Sequence, residues 1–175
     1  HAPPPLAAAN PNDVVDAPKP NPRDNADHVA TPPRRTSLKQ GEYVEPVVLP
    51  KRPPKPGDAY LRFIPSTEMD IAVCSAGVSL VLGPGNVIKS ARVALGAVAP
   101  TVVLVPKAAN AIHGTKLDDK ALEKLAAACE AACSPISDKR GTVEYRTEVA
   151  GVLAKRAARI AYDRARGKRT TGKRS

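Results

Sequence analysis

The chain has 175 residues, 42% of them hydrophobic and 25% charged, with 19 prolines, no tryptophan and 3% aromatics. A single domain takes about 100 to 200 residues, which leaves room for one modest core and a tail but excludes a large multi-domain enzyme with its own cofactor fold. Lys and Arg outnumber Asp and Glu 27 to 17, a formal charge of +10 that favours acidic partners and says nothing about fold.

Fourteen of the prolines lie at or before Pro56. Residues 1–35 combine Pro, Asn, Asp and Ala with few large apolar side chains, and such a segment cannot bury enough surface to offset the entropy lost on ordering. It reads as an extended or disordered arm, either a passive tail or one laid on a partner subunit. No stretch approaches the roughly 20 uninterrupted apolar residues that cross a bilayer, so a soluble chain without membrane insertion is expected. Cys74, Cys129 and Cys133 are odd in number, and His1 to Ala9 show no basic leader followed by an apolar run. A disulfide framework is therefore not expected, and the cytoplasm is the expected compartment.

After Thr36 the pattern changes. Tyr43 to Leu49 is apolar and β-branched between Gly41 and Pro50, a short strand that Pro46 assigns to an edge. Ala59 to Phe63 makes a second strand. Met69 to Leu82 and Val87 to Val98 are long apolar runs joined by Gly83-Pro84-Gly85-Asn86, which predicts an antiparallel hairpin. In its second arm Ala91, Val93, Leu95 and Ala97 share one face while Arg92 and Ala94 take the other. From Asp118 to Cys133 the apolar residues recur at three-and-four spacing, an amphipathic helix with Asp118 and Asp119 at its positive end. Ser134 to Gly141 breaks it. Thr142 then caps a second helix that carries Val149, Leu153, Ala157 and Ile160 on one side and reaches Arg166. The predicted fold class is α+β over residues 36–166: a small antiparallel sheet of three to four strands with a C-terminal helical bundle packed on one face, followed by a basic disordered tail at 167–175.

Little in the chain carries chemistry alone. Cys129 and Cys133 share a helix face, but structural zinc needs four ligands and His1, His28 and His113 form no second pair, so no metal site is expected and the thiols read as buried among alanines. His113, beside Gly114, reads as a loop histidine. Neither a Walker loop nor G-x-G-x-x-G occurs, and Gly83-Pro84-Gly85 does not lead into a helix that could hold phosphate. No catalytic residue is assigned. The cations from Lys155 to Arg174 lack interleaved aromatics, which weighs against nucleic acid, and the helix dipole accounts for part of their enrichment.

Several ordered words remain: Thr36-Ser37-Leu38-Lys39-Gln40-Gly41-Glu42, Ala59-Tyr60-Leu61-Arg62-Phe63, Glu68-Met69-Asp70-Ile71-Ala72-Val73, Ala91 to Pro100, Ser134 to Gly141, Glu144-Tyr145-Arg146 and Gly151-Val152-Leu153. Together they resemble the C-terminal domain of the FAD-binding medium subunit of molybdenum hydroxylases, the group of aerobic carbon monoxide dehydrogenase and xanthine dehydrogenase. The resemblance implies a domain that covers the flavin in an oxidoreductase complex passing electrons from molybdenum through iron–sulfur clusters to FAD. It also implies partners: FAD-bearing, iron–sulfur and molybdenum subunits. The FAD domain of that family should precede Thr36, where this sequence has the Pro-rich arm. Either the chain is a fragment, or the FAD portion is supplied by a partner chain, or flavin binding has been lost. FAD is accordingly expected only with a partner chain. Arg62 matches a basic residue that approaches the FAD in relatives, Val44 an apolar residue contacting the cofactor, and Asp70 a position that often holds an aromatic beside the isoalloxazine. Ser66 replaces a residue commonly basic in relatives. The Ser137 to Gly141 and Glu144 to Arg146 words are expected to lock the helices together. The competing expectation is a non-flavin structural or assembly subunit of a larger complex.

Overall fold

The computed structural model describes residues 40–41, 54–65 and 71–168. The chain divides into two compact units, His1–Val44 and Glu45–Ser175. Of the first, only a turn at residues 40–41 is described. The second contains a four-stranded antiparallel sheet in the order β1 (Pro56–Phe63), β2 (Cys74–Leu82), β3 (Ile88–Gly96), β4 (Val103–Leu104), and three helices, α1 (Pro106–Ile112), α2 (Asp119–Ala131) and α3 (Val143–Ala165). The α+β class is as the sequence predicts.

Alternation of side chains decides which face the helices cover. Cys74, Ala76, Val78, Leu80 and Leu82 of β2 are buried, as are Val93 and Leu95 of β3, and the register pairs Val78 with Val93 and Ala76 with Leu95. A strand of period two turns these residues to one side and Ser79, Arg92 and Ala94 to the other. The turn Gly83 to Asn86 closes the hairpin with left-handed backbone at Gly85 (φ 66°) and Asn86 (φ 59°), residue types that tolerate it. On the apolar face α3 crosses β1 and β2, α1 packs on β3, and α2 packs against both α1 and α3.

Small residues let α3 come close. Ala150, Gly151, Ala154, Ala157, Ala158, Ala161 and Ala165 are all buried along it, and Gly57 of β1 lies directly under Ala161 and Ala165. Its start is capped by Thr142, whose hydroxyl accepts from the Tyr145 amide at 3.2 Å, and the α2 start by Asp118, whose carboxylate accepts from the Ala121 amide at 3.2 Å. Both ends of α3 are tied to the sheet. Tyr145 meets Phe63 edge-on at 6.3 Å, and the Tyr162 hydroxyl donates to the Asn86 carbonyl at 2.8 Å. Lys155 and Arg159 reach Glu123 and Asp119 on α2; such exposed pairs contribute about 0–1 kcal/mol each.

The expected strand at Tyr43 to Leu49, the arm at 1–35 and most of the basic tail lie outside the described residues. The expected strand at Met69 to Leu82 begins later, at Cys74, with Ile71 to Val73 in irregular backbone. Ala97 leaves the alternation of β3: it sits past the strand end with φ 61°. Two elements, β4 and α1, carry no strong local signal; Val103 pairs with Leu95, and α1 is only seven residues long with proline in its first turn. No helix among the described residues is long and apolar enough to cross a membrane.

Candidate functional site

The face of the sheet away from the helices carries small side chains on β2 and β3, at Ser75, Gly77, Ser79, Ala94 and Gly96, between the larger Asp58, Tyr60, Arg62, Arg92 and Leu104. Across it run three rows: Asp58, Ser79 and Arg92; Tyr60, Gly77, Ala94 and Leu104; Arg62, Ser75 and Gly96. Gly77 and Ala94 put little side chain over this part of the sheet, and a shallow depression of about 350 Å³ opens between Tyr60, Arg92 and Leu104. Tyr60 is 65% exposed and Leu104 45%. Arg62, the candidate cofactor residue, stands on this face and is exposed. Val44 and Asp70 lie outside the described residues. Sequence reading missed Tyr60, Gly77 and Leu104 as parts of the face, because only the strand register puts them in one row.

The opposite end of α3 holds a buried cation. Arg146 is 5% exposed. Its Nη1 donates to the carbonyls of Val73 (2.7 Å) and Ala97 (3.5 Å), and its Nη2 to Asp138 Oδ1 (2.6 Å). The Arg140 amide donates to Asp138 Oδ1 (2.8 Å) and its Nη1 to Oδ2 (3.2 Å). The backbone amide of Arg140 and the Arg146 guanidinium hold the Asp138 carboxyl below its usual pKa. Asp138, Arg140 and Arg146 of these two sequence words therefore tie α3 to the sheet ends and to the preceding loop, not helix to helix as expected, because the Arg146 guanidinium reaches the strand-end carbonyls of Val73 and Ala97.

The thiols are deeply placed. Burial pushes Cys74 up to about 11 and Cys129 up to about 12, with Cys133 adding repulsion to both, and burial also raises Cys133 itself. A raised thiol stays protonated and is a poor nucleophile. Iodoacetamide at pH 8 should accordingly leave Cys74 and Cys129 largely unmodified in the native chain and label them fully in urea, as read by mass spectrometry; prompt native labelling would contradict this burial. Among the described residues no group of three His, Cys, Asp or Glu side chains could hold a metal ion.

Residues 59–161 match the model of the CO dehydrogenase flavoprotein C-terminal domain. The chain belongs to this family. The medium chain of carbon monoxide dehydrogenase from Afipia carboxidovorans is 36% identical over 131 residues, 75% of this chain and 45% of that one. That from Hydrogenophaga pseudoflava is 34% identical over 91 residues, 51% of this chain and 32% of that one. The solved structure of reconstituted CO dehydrogenase from Oligotropha carboxidovorans superposes with a TM-score of 0.73 at 34% identity, covering 78% of this chain and 47% of that chain. This flavoprotein C-terminal domain thus spans less than half the length of the curated relatives it matches.

Proposed function

We propose that this domain forms one wall of a flavin site in a cytoplasmic, molybdenum-hydroxylase-like oxidoreductase complex, with the FAD held by another part of the protein or by a partner chain. The observation that carries this reading is the uncovered outer face of the sheet with an exposed cation on it. Gly77 and Ala94 leave a shallow depression there, and Arg62 stands on the same face as a cation able to donate to a flavin carbonyl or a phosphate. The depression is open and shallow, which suits a covering wall and not a holder. Val44 and Asp70 are proposed to join Arg62 in the same contact. Bound FAD would supply the electron-carrying chemistry, and iron–sulfur and molybdenum subunits would be its electron donors. The domain alone should have no turnover.

The test is flavin retention. Arg62→Ala in the assembled complex removes one charge-assisted hydrogen bond, about 1.5–3 kcal/mol, and should weaken flavin binding by roughly ten- to a hundredfold. Flavin per complex after gel filtration reads the effect, with circular dichroism confirming that the isolated chain is still folded. Unchanged flavin occupancy overturns the role of Arg62. A second reading, assembly without flavin, is favoured by Tyr60, Leu104 and Val102, the last 73% exposed. A purified complex that never contains flavin would support it.

A further inference from the structure

A cleft of about 380 Å³ opens between the end of the sheet and the loop that leads into α3. Arg140, Arg146 and Asp138 line one side of it, and Ile71, Pro100 and Ile136 line the apolar remainder. We propose that this cleft binds a carboxylate side chain, flanked by an apolar residue, carried on a partner polypeptide. The proposal is independent of the flavin reading, since neither Arg62 nor the outer sheet face belongs to the cleft.

Donors here outnumber acceptors. Among the described residues Asp138 is the one carboxylate lining the cleft, and both its oxygens are already used, Oδ1 by Arg146 Nη2 and the Arg140 amide, Oδ2 by Arg140 Nη1. The Nε–H groups of both arginines are buried and have no acceptor among the described residues. A buried donor without an acceptor loses its hydration and gains nothing in return, so such groups are rare and call for a missing partner. Among the described lining residues, two guanidinium groups against one carboxylate leave a net positive charge. An anionic acceptor therefore fits the polar wall. The Arg140 side chain is partly exposed.

The rim distinguishes a polypeptide from a free anion. Ile71 is 51% and Ile136 73% exposed, and both line the cleft. A small inorganic or organic anion would leave both in water. An Asp or Glu with an apolar neighbour in the same segment would satisfy the guanidinium groups and cover the isoleucines together, which is the usual composition of a local binding hot spot, an apolar anchor beside a desolvated charge.

Arginine Nε–H groups give their own resonances in a ¹⁵N-labelled protein. The full chain, titrated with acetyl-Leu-Asp-Leu-amide, should show saturable shifts of the Arg140 and Arg146 Nε–H signals. The Leu-Asn-Leu counterpart should bind at least about tenfold more weakly, because it offers no charge. Ile136→Ser, at an exposed site that does not threaten the fold, should also weaken the acidic peptide by about tenfold through lost apolar burial. Absence of any Nε–H shift, equal binding of the Asn peptide, or unaltered binding by Ile136→Ser would each overturn the proposal. So would sodium acetate producing the same shifts at the same concentration, which would make the cleft a site for free anions.

Discussion

Gly57→Leu should destabilise the domain by about 3 kcal/mol or more, because the added side chain has nowhere to go. A Cβ at this position would run into the carbonyl oxygen of Ala161 and lie 2.8 Å from both the amide nitrogen and the Cβ of Ala165. Those are backbone and first side-chain atoms, not the far end of a flexible side chain. The only relief is to lift α3 off β1, and that separates the alanine face from the sheet along the last two turns of the helix. Urea unfolding should show the midpoint falling sharply with an unchanged slope. Gly83→Ala serves as the control. Its Cβ would meet only ordinary contacts at 3.7 Å, at the Lys89 side chain and the Val87 carbonyl, and stability should stay within about 0.5 kcal/mol of the original. Equal midpoints for Gly57→Leu and Gly83→Ala would refute this account of how α3 packs.

Arg146→Leu should cost about 3 kcal/mol, the range seen when one member of a buried ionic cluster is removed. The guanidinium joins three segments that are far apart in sequence: the start of β2 through Val73, the residue after β3 through Ala97, and the helix-entry loop through Asp138. Leucine fills part of the volume and leaves both carbonyls without this donor. Asp138→Asn should cost less, because the carboxylate is partly exposed and water replaces its lost partners. The pH dependence gives the sign. Asp138 has a folded pKa below its unfolded one, so its contribution is fully present above the unfolded value and disappears as the pH falls through the folded value. A double-mutant cycle between Arg146 and Asp138 should therefore show coupling at pH 7 that is lost in strong acid. Coupling independent of pH would mean that Asp138 acts through shape and not through charge.

Much of this architecture is legible in residue patterns because the signals are local. The Gly83 to Asn86 turn, the alternation of Val93 and Leu95 with Arg92 and Ala94, the acidic start of the helix at Asp118 and the cap at Thr142 each act within a few residues. The short elements were not legible. Val103 and Leu104 become a strand because Leu95 and Ala94 offer open backbone groups, and Pro106 to Ile112 becomes a helix because Ala108 and Ile112 find β3 to pack on. The candidate site divides in the same way. Arg62 was singled out by the word around it, and the structure adds that this residue stands exposed on the outer sheet face; its role toward FAD rests on the flavin experiment. That Tyr60, Gly77, Ala94 and Leu104 form one row had no signal, since they come from four strands and meet only through register.

The amino-acid sequence by itself determined the α+β class, the hairpin, the two long helices with the cap at Thr142, and the family words that lead to the flavoprotein C-terminal domain. These depend on periodicity and on contacts between near neighbours, which the order of residues contains directly. Tertiary structure alone decided that Gly57 lies directly under α3, that Arg146 is buried beside two strand ends with its Nε unpartnered among the described residues, and that Ile71 and Ile136 line one cleft. Each of these joins residues separated by tens of positions or more. Their approach is set by how the helices settle on the sheet, a collective packing outcome that no local pattern encodes.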